Sequence, residues 1–439
     1  MQDTPETPEA GGEGGAAAVP RGHFSSIVRK LAIDVTPLRA SRDYRLLWFG
    51  ELISETGHQI TVVAIFYQLY AITGSAVAVG LVGLVQLVPL MLASIAGGSI
   101  IDAVDRRKML LLTQFGYVFS SGALLAGAIA GHPSVWLIYA AAAVTAALSG
   151  LDFPTRSAMT PRLVGEANLP AALALNQVLF NITIIVGPAI GGVIIARFGL
   201  PWAYGIDLVT YGATIGAAFL LRPMPPLETE GGRTRGMAAI REGIAYLKGR
   251  RVLQSTFFID IIAMVFGMPR ALFVILANTQ FHRGPEILGL LYSSVGVGAL
   301  IAAMTAGWVG GVHRQGRAVV LAVCLWGAAI AAFGLVGDHL LIALICLAIA
   351  GAADVVSAVF RGTILQLSVP DHLRGRLSGI HIMVVTGGPR IGDFEAGVVA
   401  QIFTPTVSVV SGGLLCVAGA AGLAALVPAF WRYRAGGET

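Results

Sequence analysis

Residues 76–108 read AVAVGLVGLVQLVPLMLASIAGGSIIDAVDRRK, a long apolar run that ends in a short charged segment. The run from Ala76 to Ile101 contains no charged side chain. A helix needs about 20 apolar residues to cross the hydrocarbon layer of a membrane, which is roughly 30 Å thick. Charged side chains are costly in that layer, so the segment 102–108 belongs outside it. The stretch therefore predicts one membrane-spanning helix that ends at a polar loop.

The composition extends this prediction to the whole chain. Of the 439 residues, 56% are hydrophobic and 12% are charged, and the mean hydropathy is +0.78. A soluble domain carries about 25% charged residues, so the composition excludes an ordinary water-soluble core. The apolar runs are too long and continuous for barrel strands. Backbone groups in lipid need internal partners, so we predict an all-α membrane protein with twelve transmembrane helices.

The basic residues are distributed unevenly over the predicted loops. With twelve spans, 25 of the 29 Lys and Arg residues fall on one side of the membrane. Cytoplasmic loops are enriched in Lys and Arg, so both termini and the central loop are predicted to be cytoplasmic. This distribution explains the net charge of +5, and we predict no nucleic-acid binding. The four exceptions are Arg197, Arg270, Arg283 and Arg390.

Polar segments flank and join two predicted six-helix bundles. The first segment is predicted to be a disordered cytoplasmic tail, in which residues 24–33 are either a short surface helix or a solvated stretch. The central segment is predicted to be a cytoplasmic linker with an amphipathic helix. The predicted domains are the tail 1–43, the bundle 44–221, the linker 222–252, the bundle 253–432 and the tail 433–439.

The two predicted bundles are related in sequence. Glu51 matches Asp260 at an offset of 209 residues, and Arg156 matches Arg361 at an offset of 205 residues. Secondary transporters use internal repeats of this kind to build a central site between two moving bundles. The repeat therefore indicates two pseudo-symmetric halves with a shared site.

The charged segment after the opening run has a distinctive spacing. Gly98, Asp102, Arg106 and Lys108 resemble the signature Gly-x-x-x-Asp-x-x-x-Arg of the major facilitator superfamily, whose fold has twelve helices in two bundles. Glycine lets two helices approach closely, and an acid beside basic residues forms a charge cluster. These four residues are the predicted cytoplasmic latch, with ordinary loop charge as the alternative. The matching loop 307–317 lacks the acid, so the latch is predicted in the first half only.

A second stretch narrows the resemblance. The sequence Pro161-Arg162-Leu163-Val164, followed by Gly187-Pro188 and Gly191-Gly192, is similar to the branch that contains the enterobactin exporter and macrolide-efflux proteins. A proline removes a backbone donor and kinks a helix. The predicted gating bend in helix 5, with a plain packing kink as the alternative, consists of Gly187, Pro188, Gly191 and Gly192.

Ionisable residues within predicted helix 1 point to ion coupling. Glu51, Glu55 and His58 follow one another at helical spacing and share one face. Charges inside a membrane usually face a cavity or each other, so we predict that Glu55 carries a coupling proton, with Glu51 and His58 assisting. The alternative for Glu51 is an interfacial pair with a cytoplasmic arginine. Asp207 in predicted helix 6 is predicted to be interfacial.

The second half carries further charges inside its predicted helices. Their predicted role is to line the cavity, where an arginine would meet an anionic substrate group and an aspartate a cationic one. For the pair in helix 11, a self-neutralising structural ion pair is the alternative. The predicted cavity charges are Asp260, Arg270, Asp354, Arg390 and Asp393.

These observations predict a secondary transporter in the plasma (inner) membrane of a bacterium. The leading hypothesis is a proton-coupled exporter of a siderophore-like or amphiphilic small molecule by alternating access. Multidrug or macrolide efflux, nutrient import and membrane sensing remain open. We expect a monomer, and no cofactor or metal. We also expect no enzymatic activity, because the sequence has no phosphate loop and no nucleophile elbow.

Overall fold

The computed structural model describes residues 34–131, 134–226 and 237–434. These residues form helices and contain no β-strand. Twelve helical segments of membrane-spanning length follow one another along the described chain. They are α1 Arg42–Thr73, α2 Ala76–Ala103, α3 Arg106–Ile129, α4 135–164, α5 166–198, α6 Leu200–Leu220, α7 Arg251–Thr279, α8 Pro285–Met304, α9 Gln315–Leu335, α10 Leu340–Ser368, α11 Asp371–Ile402 and α12 Pro405–Leu426.

Nine stretches of the described chain are long and apolar enough to cross a membrane. One of them, Val135–Phe198, is a helix of 64 residues that bends at Gly165 (φ 72°) and supplies both α4 and α5. The helices α1 and α11 are not among the nine, and both carry ionisable side chains, such as Glu55 and Asp393. The predicted number of twelve is consistent with these segments.

The chain passes from α4 to α5 over residues 156–172. This stretch is helical except at Gly165, whose positive φ turns the chain. The stretch packs back onto α1, where Val164 and Ala172 join a buried cluster with Tyr44 and Trp48. The tertiary contact therefore keeps the connection helical.

Capping groups set the helix ends in the first half. Gly74 ends α1 in the left-handed conformation (φ 59°), where a side chain would be strained. The Ser75 hydroxyl then accepts from the backbone nitrogen of Ala78 at 3.3 Å and starts α2. The Asp105 carboxylate accepts from the backbone nitrogens of Arg107 and Lys108 at 2.9 and 3.3 Å and starts α3. These caps satisfy backbone donors that helices leave open.

The helix α7 is interrupted between Gly267 and Pro269. The carbonyl oxygen of Gly267 accepts a hydrogen bond of 2.7 Å from the indole nitrogen of Trp326 on α9. The backbone nitrogen of Ala271 donates to Asp393 on α11 at 2.9 Å. Side chains therefore satisfy the backbone groups that the break releases, as a membrane interior requires.

The twelve segments pack as two groups of six. In the first group, α1 packs on α6, and α3 packs on α4 and α6; in the second, α7 packs on α11, and α9 packs on α10 and α12. Two pairs of helices join the groups, namely α2 with α11 and α5 with α8. A linker helix, Met237–Leu247, lies against α11, where Glu242 forms an ion pair with Arg376.

Glycines bring the joining helices together at one end only. A Cβ added to Gly80 on α2 would lie 2.4 Å from the Asp393 carbonyl oxygen, and one added to Gly289 on α8 would lie 2.3 Å from that of Pro188. At the other end of α11, no described atom lies within 4 Å of a Cβ added to Gly375 or Gly379. We call the end with these glycine contacts the closed end, and the end next to the linker helix, where Gly375 and Gly379 face open space, the separated end.

Residues 1–33 of the predicted tail, which include the predicted surface helix at 24–33, lie outside the described residues, as do part of the linker (227–236) and the last residues (435–439). The described end of this tail was predicted to be disordered, but it contains the short helix Thr36–Ala40, and α1 begins at Arg42.

Candidate transport site

A cavity of about 220 Å³ lies between the two groups of six helices, next to the closed end. Both groups contribute to its wall, as expected for a site that two moving bundles share. The first group contributes mostly neutral polar and aromatic side chains, and the second contributes the charged ones. The main polar lining residues are His58, Gln59, Gln86, Arg270, Arg390 and Asp393.

The charged wall of the cavity contains two arginines and one aspartate. Arg270 lies beside the break in α7, and Arg390 and Asp393 lie one turn apart on α11. The Asp393 carboxylate accepts from the Ala271 backbone nitrogen at 2.9 Å. The Nε atoms of Arg270 and Arg390 are buried and donate no hydrogen bond to the described residues. The wall therefore carries a net positive charge with two unused donors, which is costly inside a membrane unless an anion offsets it.

Aromatic rings also line the cavity. The rings of Phe66 on α1 and Tyr292 on α8 lie 6.3 Å apart. The Tyr292 hydroxyl donates to the backbone oxygen of Arg270 at 3.0 Å, so this ring helps to fix the α7 break. The cavity can therefore hold a molecule that has both an anionic group and an apolar or aromatic part.

The predicted stripe on α1 has three different environments. His58 lines the cavity, and its Nδ1 lies 3.3 Å from the Tyr211 hydroxyl. Glu55 accepts a hydrogen bond of 3.1 Å from Gln59, a cavity residue. Glu51 lies further toward the open end and forms an ion pair with Arg156, with 3.3 Å between Oε2 and Nη1. Along α1, these three residues therefore extend from the cavity wall at His58 to the ion pair of Glu51 with Arg156.

Arg156, which the topology prediction places with the cytoplasmic loops, lies inside α4, and its side chain is 12% exposed. Its Nε donates to the Asp152 carboxylate at 2.6 Å. Asp152 also accepts from the hydroxyl of Thr113 at 2.7 Å and from Gln114 at 3.1 Å. Arg156 therefore bridges two carboxylates, one on α1 and one on its own helix.

The prediction that Asp207 is interfacial is wrong, because Asp207 is fully buried in α6. Its carboxylate accepts hydrogen bonds from Thr61 at 2.7 Å and from Ser121 at 2.5 Å. These donors lie on α1 and α3, so the spacing of residues in the sequence did not indicate that they contact Asp207. Asp207 therefore joins three helices of the first group.

In the second group, Asp260 and Asp354 do not line the cavity wall with Arg270. Asp260 on α7 pairs with Arg361 on α10 at 2.9 Å, and Asp354 lies 4.0 Å from the same guanidinium. His381 on α11 lies 3.7 Å from Asp260. The five predicted cavity charges therefore divide into a cavity group and a second cluster.

The predicted bend in helix 5 lies at contacts with both α1 and α8. A Cβ on Gly187 would lie 2.4 Å from Cβ of Gln59, and a Cβ on Gly191 would lie 3.1 Å from Cα of Ile60. A Cβ on Gly192 would lie 2.4 Å from the Pro285 carbonyl oxygen. With the carbonyl of Pro188 next to Gly289, this segment packs closely against both α1 and α8.

The predicted latch is described in part. Gly98 and Asp102 lie in the last turns of α2, and their side chains are outside the described part of the structure. Arg106 is buried, and its backbone nitrogen donates to Met224 at 3.1 Å. Arg107 donates to the backbone oxygens at the C-terminal end of α6, with 2.7 Å to Ala218. Lys108 contributes its backbone nitrogen to the Asp105 cap.

Sequence reasoning missed several residues of these clusters. Asp152 and Arg156 are four residues apart, a spacing that places both on one helix face and favours an ion pair. This signal was missed because Arg156 was assigned to a cytoplasmic loop. The pairing of Arg361 with Asp260 had a signal as well, because both positions match the first-half pair in the repeat. His381 had none, since it approaches Asp260 only through the packing of α11 on α7.

Comparison with known proteins gives consistent results. Residues 33–433 match the family described as transmembrane secretion effector. The enterobactin exporter EntS of Citrobacter koseri is 26% identical over 388 residues, which cover 88% of this chain and 92% of the exporter. The enterobactin exporter EntS of Shigella boydii serotype 18 is 26% identical over 381 residues, covering 87% and 91%.

Solved transporters share the fold at low sequence identity. A bacterial homologue of the iron transporter ferroportin in an inward-facing state has a TM-score of 0.67 and 14% identity, covering 89% of this chain and 98% of that one. The nucleoside transporter NupG has a TM-score of 0.69 and 12% identity, covering 89% and 98%. These likenesses confirm the predicted fold class of an all-α membrane transporter, and the predicted twelve helices in two bundles are consistent with them.

Proposed function

The chain belongs to the transmembrane secretion effector family of the major facilitator superfamily, and we propose that it is a proton-coupled exporter of a siderophore-like, anionic small molecule. The observation that carries the proposal is the cavity between the halves, where the buried Nε donors of Arg270 and Arg390 have no partner among the described residues. The names of the relatives support a siderophore as cargo and export as the direction.

Substrate charge follows from the electrostatics of the cavity. One aspartate, Asp393, faces two arginines, so a bound anion would restore neutrality. A guanidinium binds carboxylate and similar planar anions with two parallel hydrogen bonds. The rings of Phe66 and Tyr292 add an apolar surface for the rest of the molecule. A neutral or cationic drug would leave the positive charge uncompensated.

Proton coupling is proposed for the first half. Glu51 and Asp152 share Arg156, so the group is negative until one carboxylate takes up a proton. Glu55 and His58 connect this group to the cavity wall by position on α1. Uptake of a proton would neutralise the group and loosen the link between α1 and α4. This change gives the proton a physical means to bias the movement of the halves.

The separated end carries the linker helix, and the topology prediction assigns that end to the cytoplasm. In this proposal the described conformation is therefore the inward-facing state, in which the cavity can receive cargo from the cytoplasm. Opening the other end requires the glycine contacts of Gly80 and Gly289 to separate. The protein is proposed to work as a monomer in the bacterial inner membrane, with both termini cytoplasmic and without enzymatic activity.

The test is transport in inside-out vesicles that contain the protein. With an acid interior, we expect the vesicles to accumulate enterobactin and to lose it when a protonophore collapses the gradient. Uptake of a macrolide in place of enterobactin would favour drug efflux. Uptake that is unaffected by the gradient would contradict proton coupling.

A second measurement identifies the natural cargo. The culture medium of the parent strain is compared by mass spectrometry with that of a deletion strain. We expect the loss of an anionic, siderophore-like compound from the medium. An unchanged medium, together with a nutrient that no longer enters the cells, would overturn the assignment of export.

A further inference from the structure

Four ionisable side chains gather in the second half, outside the wall of the transport cavity. Asp260 lies on α7, Asp354 and Arg361 lie on α10, and His381 lies on α11. The Arg361 guanidinium is 2.9 Å from Asp260 and 4.0 Å from Asp354, and His381 Nδ1 is 3.7 Å from Asp260. Three helices therefore meet at a single charged cluster within the bundle.

The centre of the cluster is sealed from solvent. The side chain of Asp260 is 0% exposed and that of Arg361 is 1% exposed. Neither carboxylate oxygen of Asp260 accepts a hydrogen bond of normal geometry from the described residues. The Arg361 guanidinium nevertheless lies only 2.9 Å from Oδ1 of Asp260. A buried carboxylate normally has its oxygens satisfied. Asp260 therefore has acceptor capacity that a proton can use.

The cluster repeats the arrangement of the first half. Asp260 matches Glu51 and Arg361 matches Arg156 in the sequence repeat. Both pairs are formed in the structure, at 2.9 Å and 3.3 Å. In each half, the helix that carries the arginine also carries a second carboxylate, Asp152 on α4 and Asp354 on α10.

The second carboxylates occupy different positions of this pseudo-symmetric plan. Ser357 stands at the position that matches Asp152, and its hydroxyl accepts from Arg361 at 2.9 Å. Asp354 lies about one turn earlier on α10. The second half therefore also has an acid beside its arginine, but at a different position along the helix. An arginine between two carboxylates is the feature that both halves share.

The charge of this arrangement determines its chemistry. Two ionised carboxylates and one guanidinium leave one negative charge, and one bound proton makes the cluster neutral. A net charge in the membrane interior is costly. We propose that Asp260, Asp354 and Arg361 form a second proton-binding site, so that one transport cycle moves two protons, one through each half. This inference rests on the proposed proton-coupled export.

Access to the second site runs through its partly exposed members. The Asp354 side chain is 27% exposed and that of His381 is 24% exposed, whereas Asp260 is sealed. A proton can therefore enter at His381, which lies 3.7 Å from Asp260, or at Asp354, which shares Arg361 with Asp260. Movement of α10 or α11 would separate these side chains. Access of a proton to Asp260 therefore depends on the conformation of the second half.

The surroundings contribute few other charges. Arg270 on α7 is the remaining charged neighbour with an electrostatic effect on Asp354. The helix α12 has no charged residue, and its Cys416 thiol contacts the Val323 backbone oxygen. The only charged residue of α9, Arg317, lies over the Trp431 ring. Proton binding at the cluster is therefore governed by the residues named in the proposal and by His381.

The test is infrared difference spectroscopy of the purified full-length protein between acid and alkaline buffer. Protonated carboxylic acids give a carbonyl band that ionised carboxylates lack. We expect Glu51→Gln and Asp354→Asn each to remove a separate part of the band from buried acids, and the double variant to remove both parts. The exposed Asp338 supplies the control, and Asp338→Asn should leave the buried band unchanged.

Two variants of the second site are compared, because one of them can fail to fold. Asp260→Asn leaves Arg361 buried without its close partner, which is destabilising. Asp354→Asn keeps the Asp260–Arg361 pair, and because that pair is already neutral it should bind no further proton. If neither variant changes the band while the protein remains folded, the second site does not exist.

A transport measurement separates this inference from the proposed function. In proteoliposomes with enterobactin as the probe, the ratio of protons to enterobactin should fall from two to one in Asp354→Asn. A wild-type ratio of one would overturn the inference and leave the proposed function intact. Wild-type protein that moves no protons with enterobactin would refute the proposed function, and the infrared result would still decide whether the second site binds a proton.

Discussion

Glu51 on α1 and Arg156 on α4 form an ion pair of 3.3 Å, and this pair joins the two helices beyond the cavity. Arg156 also binds Asp152 on its own helix at 2.6 Å. The pair therefore holds an acid that faces the transport route in contact with a group that cannot lose its charge. A change of protonation at Glu51 alters the attraction between two helices.

Neutralising the acids of α1 tests their part in coupling. Glu51→Gln and Glu55→Gln should each abolish enterobactin uptake driven by a proton gradient in inside-out vesicles. Protein abundance should stay at the wild-type level, because both side chains are partly exposed. The exposed acid Glu166 provides the control variant, Glu166→Gln. Proton-driven uptake at the wild-type rate in Glu55→Gln would remove this residue from the coupling path.

Removing the cavity arginines should weaken cargo binding. A hydrogen bond to a charged group contributes roughly 1.5–3 kcal/mol, so Arg270→Gln or Arg390→Gln should raise the KM for an anionic substrate by about 10- to 100-fold. The measurement is initial uptake of enterobactin over a range of concentrations. Arg283→Gln, at an exposed arginine outside the cavity, is the matched control. Equal KM values in all three variants would show that the arginines do not bind the cargo.

Asp207 should be important for stability. It is fully buried and accepts hydrogen bonds from Thr61 on α1 and Ser121 on α3. Asp207→Ala leaves both hydroxyls without this acceptor, and each lost buried hydrogen bond costs about 1–3 kcal/mol. Thermal unfolding in detergent should therefore begin at a lower temperature. The exposed Asp338→Ala serves as the comparison, and an identical unfolding temperature for the two variants would contradict this role.

Enlarging a glycine at the contact between α5 and α8 should shift the conformational equilibrium. A Cβ on Gly289 would lie 2.3 Å from the Pro188 carbonyl oxygen, so the closed end cannot form unchanged in Gly289→Ala. Spin labels on α5 and α8 should report a longer distance at that end. Gly362→Ala is the control, because no described atom lies within 4 Å of its added Cβ. An unchanged distance in Gly289→Ala would show that the backbone adapts locally.

Much of the architecture follows from local sequence properties. The apolar run that begins at Ala76 predicts a helix because hydrocarbon requires that length and hydrogen-bonding pattern. The repeated spacing of Glu51 with Asp260 and of Arg156 with Arg361 indicates two related halves. The first feature can be recognised within one helix, and the second by comparing two stretches of sequence. Neither prediction requires knowledge of how the helices pack.

The partners of the charged residues were decided by tertiary structure. Arg156 and Arg361 read as loop charges in the topology count, yet each is buried beside an acid from a helix distant in sequence. Asp207 is buried because Thr61 and Ser121 reach it from α1 and α3. Burial and pairing depend on which helix faces meet, and a single helix does not specify its neighbours. The sequence by itself determined the helices and their duplication, whereas packing determined which charges could remain inside the membrane.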